Sequence, residues 1–324
     1  MTPFLIAIKI KTRKCDKTMI IQTPGPVSER IWLLGRPESC VYFVDGGDQC
    51  ALLGGGLTYI IPNLLHQISE LGLDQSLIRR LVIHHSHFDH VGLIPFLQKR
   101  LPQALVTASI RARELLSRRE VMKSIVDFNR LLLSQQGLDH FADEWQLTDT
   151  SAIDVQDAVA DGQRRTLGDL TLEFFETPGH SSCSLSVYIA ELKVLATSDA
   201  GGIPYGDNIF TAANSNFDQY QASLEKMSKY DVEVHLAEHY GACTGEDGRT
   251  YINRSMETAR QTRKLLEETF ARTRDEAQTT EEITSWFSQA AAGYFLPSEI
   301  MAMVAAQMTR FIAGKFAQSH REPA

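Results

Sequence analysis

Leu81-Val82-Ile83-His84-His85-Ser86-His87-Phe88-Asp89-His90 is the stretch whose reading decides the fold. An apolar strand, Leu81 to Ile83, runs straight into the polar run, and a helical pattern opens near Gly92. In extended backbone His85 and His87 point to one side, and the turn into the helix aims Asp89 and His90 at a neighbouring point. Neutral imidazole and carboxylate suit zinc or iron, so four donors in six residues have the capacity for two ions. With 10 His in 324 residues, chance spelling of HxHxDH is on the order of one in two thousand. The competing reading is a cluster of solvated histidines at a strand end.

Donors that recur downstream argue against that reading. His180 lies in Thr177-Pro178-Gly179-His180-Ser181 after a strand Thr171 to Glu176, and Asp199 in Thr197-Ser198-Asp199-Ala200 after Val194 to Ala196. His239 lies in Ala237-Glu238-His239-Tyr240 after Glu233 to Leu236. Each follows an apolar run, where a strand end presents a side chain on rigid scaffold. The seven residues His85, His87, Asp89, His90, His180, Asp199 and His239 therefore imply one shared site.

Around these motifs, strands are expected at Met19–Gln22, Ile31–Leu34, Cys40–Val44, Ala51–Leu53, Leu105–Ala108 and Ser184–Ile189. Helices are expected over Ile61–Leu71, Leu93–Leu101 and Phe217–Met227, and one long helix over Arg111–Leu133. Gly54-Gly55-Gly56 reads as a strand-end turn, because no Lys-Ser/Thr follows it. Two strand-rich halves, each followed by helices, pack most simply as two sheets flanked by helices, an α/β architecture. After Gly248 the pattern is all helical. Thr279 with Glu282 forms a capping box that opens a second tail helix, and Pro297 starts a third. The expected division is a domain over 1–248, with a helical insertion over about 109–160, and a helical extension over 249–324.

This constellation resembles the metallo-β-lactamase superfamily, which implies the αββα sandwich and a binuclear site. By that resemblance His85, His87 and His180 hold one metal, Asp89, His90 and His239 the other, and Asp199 bridges both. Zinc, iron and manganese all suit these ligands. A closer likeness is to the PqsE-like group, 2-aminobenzoylacetyl-CoA thioesterases. It is carried by His87-Phe88-Asp89-His90-Val91-Gly92-Leu93-Ile94-Pro95-Phe96-Leu97, by Arg100-Leu101-Pro102 and by Phe295-Leu296-Pro297-Ser298-Glu299-Ile300. The chain departs from the superfamily pattern at His84, often Thr, at Gly54, where many members carry a supporting Asp, and at Ala-Glu-His-Tyr in place of Pro-Gly-His-Gly.

Two divalent ions about 3.5–4 Å apart share a water, lower its pKa and clamp a developing oxyanion. Thioester hydrolysis suits such a site, since a thiolate of pKa ~8.5 leaves without a strong general acid. The expected activity is thus a thioesterase acting on acyl-CoA or another acyl thioester, with Asp89 catalytic and a place in secondary metabolism. The alternatives are a lactonase, a glutathione-thioester hydrolase, a redox di-iron enzyme, or a partner-binding regulator with a structural metal site. Leu115, Met122, Ile125, Phe128 and Leu132 form a stripe that packs mainly as core, while the insertion and the tail are candidate walls of an apolar cavity and candidate homodimer faces. Tyr240 and Ser181 are candidates to assist the oxyanion. Arg111, Arg113, Arg118 and Arg119 read as a solvated face rather than a phosphate site.

Composition excludes other classes. The net charge is −8 and no Lys/Arg run exceeds a pair, which argues against nucleic acid as a partner. Five scattered cysteines, Cys15, Cys40, Cys50, Cys183 and Cys243, have no CxxC spacing, so neither a disulfide framework nor a thiolate zinc site is expected, and Cys183 reads as a buried structural thiol. The apolar start Pro3–Ile8 lacks the flanks of a signal peptide, and no stretch is long enough to span a bilayer. A cytoplasmic protein without membrane association is the expectation.

Overall fold

Alternation along the early strands sets the layering. Ile31, Leu33, Tyr42, Val44 and Leu53 face one core, while Leu34, Val41, Phe43 and Leu52 face another. A strand buried on both faces must lie between two layers. The computed structural model of the chain describes residues 20–147 and 151–319; Cys15, His320 and the Pro3–Ile8 run lie outside them.

The strands are β1 (Ile20–Ile21), β2 (Gly25–Ser28), β3 (Ile31–Arg36), β4 (Ser39–Asp45), β5 (Cys50–Leu53), β6 (Ile78–Val82), β7 (Leu105–Ser109) and β8 (Asp157–Val159), then β9 (Arg164–Leu167), β10 (Leu170–Glu176), β11 (Leu185–Ile189), β12 (Val194–Ala196), β13 (Ile203–Tyr205), β14 (Asn208–Phe210), β15 (Val234–Leu236) and β16 (Ala242–Thr244). The helices are α1 (Ile61–Glu70), α2 (Ile94–Arg100), α3 (Ile110–Leu116), α4 (Arg119–Gln135), α5 (Phe217–Met227), α6 (Gly245–Thr273), α7 (Glu276–Ala290) and α8 (Ser298–Ser319). One seven-stranded sheet has the order β2-β3-β4-β5-β6-β7-β8; the other runs β1-β16-β15-β12-β11-β10-β9, and β13 with β14 forms a separate hairpin.

The inner faces of the sheets meet through Leu33, Tyr42, Leu53 and Val82 from the first and Leu172, Phe174, Val187 and Leu236 from the second. Helices α1, α2 and α4 cover the outer face of the first sheet through Leu64, Leu97 and Met122. Helices α5 and α6 cover the second, and α7 and α8 stack against α6; Phe217, Leu224, Leu266 and Met308 share one core with Phe175 and Leu195. This is the α/β/β/α sandwich that the motifs implied.

Three local expectations are corrected. The long helix over Arg111–Leu133 is two helices broken at Ser117–Arg118: Ser117 N closes on Arg113 O at 3.1 Å, and Arg118 is extended at φ −85°, ψ 127°. Strands β2, β8, β9 and β16 and the β13–β14 hairpin escape the pattern because each has only three or four residues. The second tail helix opens at Asp275, whose side chain accepts from Gln278 N at 2.7 Å; Thr279 is buried one turn inside it and pairs with Thr273 Oγ1 at 2.6 Å. The tail helix α6 begins at Gly245, directly after β16, so it is continuous with the second sheet.

Candidate metal centre

Every candidate donor sits just past the carboxyl end of a strand on one rim of the sandwich. His85 to His90 follow β6, His180 follows β10, Asp199 lies in a tight turn at Ser198–Gly201 after β12, and His239 follows β15. Strands β12 and β15 are parallel, and β10 is antiparallel to β11, itself antiparallel to β12, so these ends converge. The glycine turn after β5 pins the first motif: Leu93 N bonds Gly55 O at 2.8 Å, and Gly92 N bonds Gly56 O at 2.7 Å. A Cβ on Gly55 would lie 2.3 Å from His90 O, so only glycine lets the motif approach this closely.

The seven side chains come together. His85 Nε2 and His87 Nδ1 are 3.1 Å apart, and His180 Nε2 lies 3.1 Å from the former and 3.0 Å from the latter. Across from this trio, His239 Nε2 is 3.1 Å from His90 Nε2, and Asp89 Oδ2 is 3.6 Å from His90 Nε2 and 3.5 Å from His239 Nε2. Asp199 stands between the two groups, its Oδ2 3.2 Å from His90 Nε2 and 3.4 Å from His180 Nε2, and its Oδ1 3.6 Å from His239 Nε2. A tetrahedral cation with bonds of ~2.0–2.1 Å places its donors roughly 3.3 Å apart, so these spacings fit a divalent ion in each group. Asp199 Oδ1, buried with no hydrogen-bond partner among the described residues, points the same way.

Backbone carbonyls orient the rings. His180 Nδ1 donates to Ala212 O at 2.8 Å and His239 Nδ1 to Glu38 O at 2.7 Å, turning each Nε2 toward the shared centre. Burial and neighbouring imidazoles push His85 well below its ordinary pKa, and burial with His180 brings His87 down to about 3. Burial also lowers His180, so all three are neutral, the form that ligates. Burial opposes the charged form of His90, yet Asp199, Asp89 and Glu238 raise it well above the usual range. Burial would raise Asp89, but His90 and His239 bring it down to about 2.

Several contributors were not singled out in the sequence. Glu238 is buried, contacts His90 Nδ1 and accepts from Ser198 Oγ at 2.8 Å. Its only sequence signal is an acidic residue closing an apolar strand beside His239. Asn129 on α4, also buried, donates to Phe88 O at 2.7 Å. Tyr240 and Ser181, the oxyanion candidates, are used elsewhere: the Tyr240 ring packs against Tyr205 and Tyr294, and Ser181 Oγ pairs with Ser184 Oγ at 2.9 Å. Cys183 is buried between Ser86 and Ser181, as expected of a structural thiol. The four arginines at 111, 113, 118 and 119 are exposed.

A cavity of about 460 Å³ opens onto this centre, reaching His87, Asp89, His180, Asp199 and His239. Its walls are mainly apolar: Val121, Ile125 and Phe128 from α4, Phe210 from β14, and Ile300, Met301 and Val304 from α8. The expected stripe therefore divides, with Ile125 and Phe128 of α4 lining the cavity while Leu115 of α3 and Met122 and Leu132 of α4 pack with the first core. The link between α7 and α8 closes over the rim, where the Phe295 ring lies 5.2 Å from His239 and Tyr205 Oη bonds Ala292 O at 2.8 Å. Among the described residues no helix is long and apolar enough to cross a membrane.

Residues 34–239 match the family model described as the Metallo-beta-lactamase superfamily. A metallo-beta-lactamase family protein of Thermus thermophilus superposes with a TM-score of 0.63 over 90% of this chain and 95% of its own, at 18% identity. An archaeal superfamily protein from Sulfolobus tokodaii does so at 0.50 over 76% of this chain and 86% of its own, at 19% identity. The type A flavoprotein fprA of Rhodobacter capsulatus is 33% identical over 131 residues, which is 40% of this chain and 24% of that protein; the match thus spans about a quarter of that relative's length.

Proposed function

The chain belongs to the metallo-beta-lactamase superfamily, and we propose that it is a hydrolase that cleaves an acyl thioester, an acyl-CoA or a similar carrier-bound acyl group, at a two-cation centre. The observation that carries this reading is the apolar cavity that ends on Asp89, His180, Asp199 and His239. His85, His87 and His180 would hold one divalent cation, Asp89, His90 and His239 a second, with Asp199 shared between them. Cations so held supply Lewis acidity and bring the pKa of water toward neutrality.

The chain's own residues supply the rest. Ile125, Phe128 and Val304 take an acyl or aromatic group and exclude water from it. Asp89, ionised at neutral pH, borders the cavity and accepts a hydrogen bond from water on the substrate side. Tyr294 also lines the cavity, and burial pushes its phenol well above the ordinary value, so the proton stays on Oη as a donor toward substrate. A thiolate leaving group asks for no strong acid in the site. The PqsE-like subgroup is supported by the wording around His87–Leu97 and by α8 walling the cavity with the residues that follow Phe295-Leu296-Pro297.

The test is a panel of acyl-CoA, acyl-glutathione and lactone substrates with the zinc- or iron-loaded protein. We expect turnover of acyl-CoA carrying an apolar or aromatic acyl group, and loss of at least about a hundredfold in kcat/KM for Asp89→Asn. Hydrolysis of lactones or glutathione thioesters with acyl-CoA untouched overturns the thioester reading, as does oxygen consumption in place of hydrolysis.

A further inference from the structure

Resting on the two-cation reading above, we infer that Glu238, acting with Ser198, is a positioning residue that braces His85 and His90 from behind and so couples the two cation positions. The rings of His85 and His90 lie 4.1 Å apart, tilted by 41°, and they belong to different donor groups. His85 turns Nε2 toward His87 and His180, and His90 turns Nε2 toward His239 and Asp199. Their Nδ1 edges point the other way. There Ser198 Oγ lies 3.4 Å from His85 Nδ1 and 3.3 Å from His90 Nδ1, and it donates to Glu238 Oε2 at 2.8 Å. The same carboxylate oxygen contacts His90 Nδ1 directly.

The surrounding chain makes room for this unit and holds it. Glu238 is 3% exposed and stands at the end of β15 in the second sheet, but its backbone carbonyl accepts from Cys40 N of β4, in the first sheet, at 2.7 Å. A Cβ at Gly54, at the end of β5, would lie 2.6 Å from Glu238 Oε1 and 3.2 Å from its Cδ. The carboxylate thus fills the volume that a side chain at position 54 would take, reaching it from the opposite sheet. Ser198 adopts φ +50°, a conformation that costs a non-glycine residue energy and aims its hydroxyl between the two rings.

The carboxylate's unused capacity separates this role from simple bracing. Oε1 of Glu238 is buried with no hydrogen-bond partner among the described residues, and His84 Nε2 is 4.0 Å away. An acid so placed costs stability in a protein without compensating charge. Beside two cations the same charge is offset, and a carboxylate behind a ligating imidazole fixes its tautomer and raises its basicity.

The experiment is zinc titration of the chelator-stripped full chain against a competing chromophoric chelator, with cobalt(II) absorption as a second readout. For wild type we expect two equivalents. Glu238→Gln keeps the shape and removes the charge; both equivalents should weaken by about 10–100-fold, with altered cobalt bands and an unfolding midpoint of the stripped protein at or above that of wild type. Glu238→Asp should recover part of the affinity, and Ser198→Gly, which tolerates the positive φ, should lose about tenfold. Wild-type affinity in Glu238→Gln overturns the inference, as does a stripped variant destabilised by as much as its affinity falls, which marks a purely structural brace. A wild type that binds no cation overturns the two-cation reading and this inference together. Absence of thioester turnover bears on the substrate reading alone, because the affinities are measured without substrate.

Discussion

Replacing Asn129 by Asp changes one atom's chemistry at the joint between α4 and the donor loop. Asn129 is 1% exposed. Its Oδ1 faces Thr58 N and Thr58 Oγ1, each at 3.0 Å, and its Nδ2 donates to Phe88 O at 2.7 Å and Ile125 O at 3.0 Å. The acceptor side survives the substitution, but the donor becomes an oxygen facing two carbonyl oxygens. Phe88 O then loses its partner at ~1–3 kcal/mol, Ile125 O keeping only its helical bond from Asn129 N, and a carboxylate held there must be buried charged against two carbonyl oxygens or protonated at further cost. We expect a loss of about 3–5 kcal/mol at pH 7, a large share of the ~5–15 kcal/mol typical of a folded chain. The buried carboxyl's pKa rises above its unfolded value, so the variant recovers stability as the pH falls and loses it as the pH rises through the folded pKa. Urea unfolding of the stripped and zinc-loaded protein at pH 7 and pH 5 measures both effects. A variant within about 1 kcal/mol of wild type at pH 7, or one without the acid recovery, would refute the reasoning.

Val304→Trp places an indole in the cavity from α8; we expect KM for long or aromatic acyl thioesters to rise about tenfold while short-acyl kcat/KM stays within about twofold, read from a chain-length series. His235 is fully buried, and burial brings its pKa down to about 3. The neutral ring's stability is therefore present above the unfolded value near pH 6.5 and is lost as the pH falls toward the folded one, on the order of 5 kcal/mol. His235→Gln should flatten this acid limb relative to wild type in urea midpoints taken from pH 7 to pH 4, and an unchanged limb would show that the ring is protonated in the fold.

How much was legible follows from how local each signal is. The donors at His85–His90 stand in one run after an apolar strand, and His180, Asp199 and His239 each follow another, so residue type and strand period together pointed to a rim. Pro62 and Pro95 in the first turns of α1 and α2, and Pro297 just before α8, mark helix starts at a single residue. The break at Ser117–Arg118 was invisible because the apolar spacing carries on across it and neither residue is a strong breaker. Thr279 and Glu282 spell a capping box, yet the Asp275–Gln278 pair one turn earlier caps the helix, and sequence offers no ranking between two adequate caps.

By itself, the sequence determined the sandwich architecture and the rim on which these imidazoles and carboxylates gather, because strand alternation and side-chain type are properties of a few neighbouring residues. Only the tertiary structure decided which side chains stand behind those donors. His90 meets Glu238 across 148 positions and Phe88 meets Asn129 across 41, and a hydrogen bond formed between separate layers depends on where two backbones come to rest, which no local period encodes.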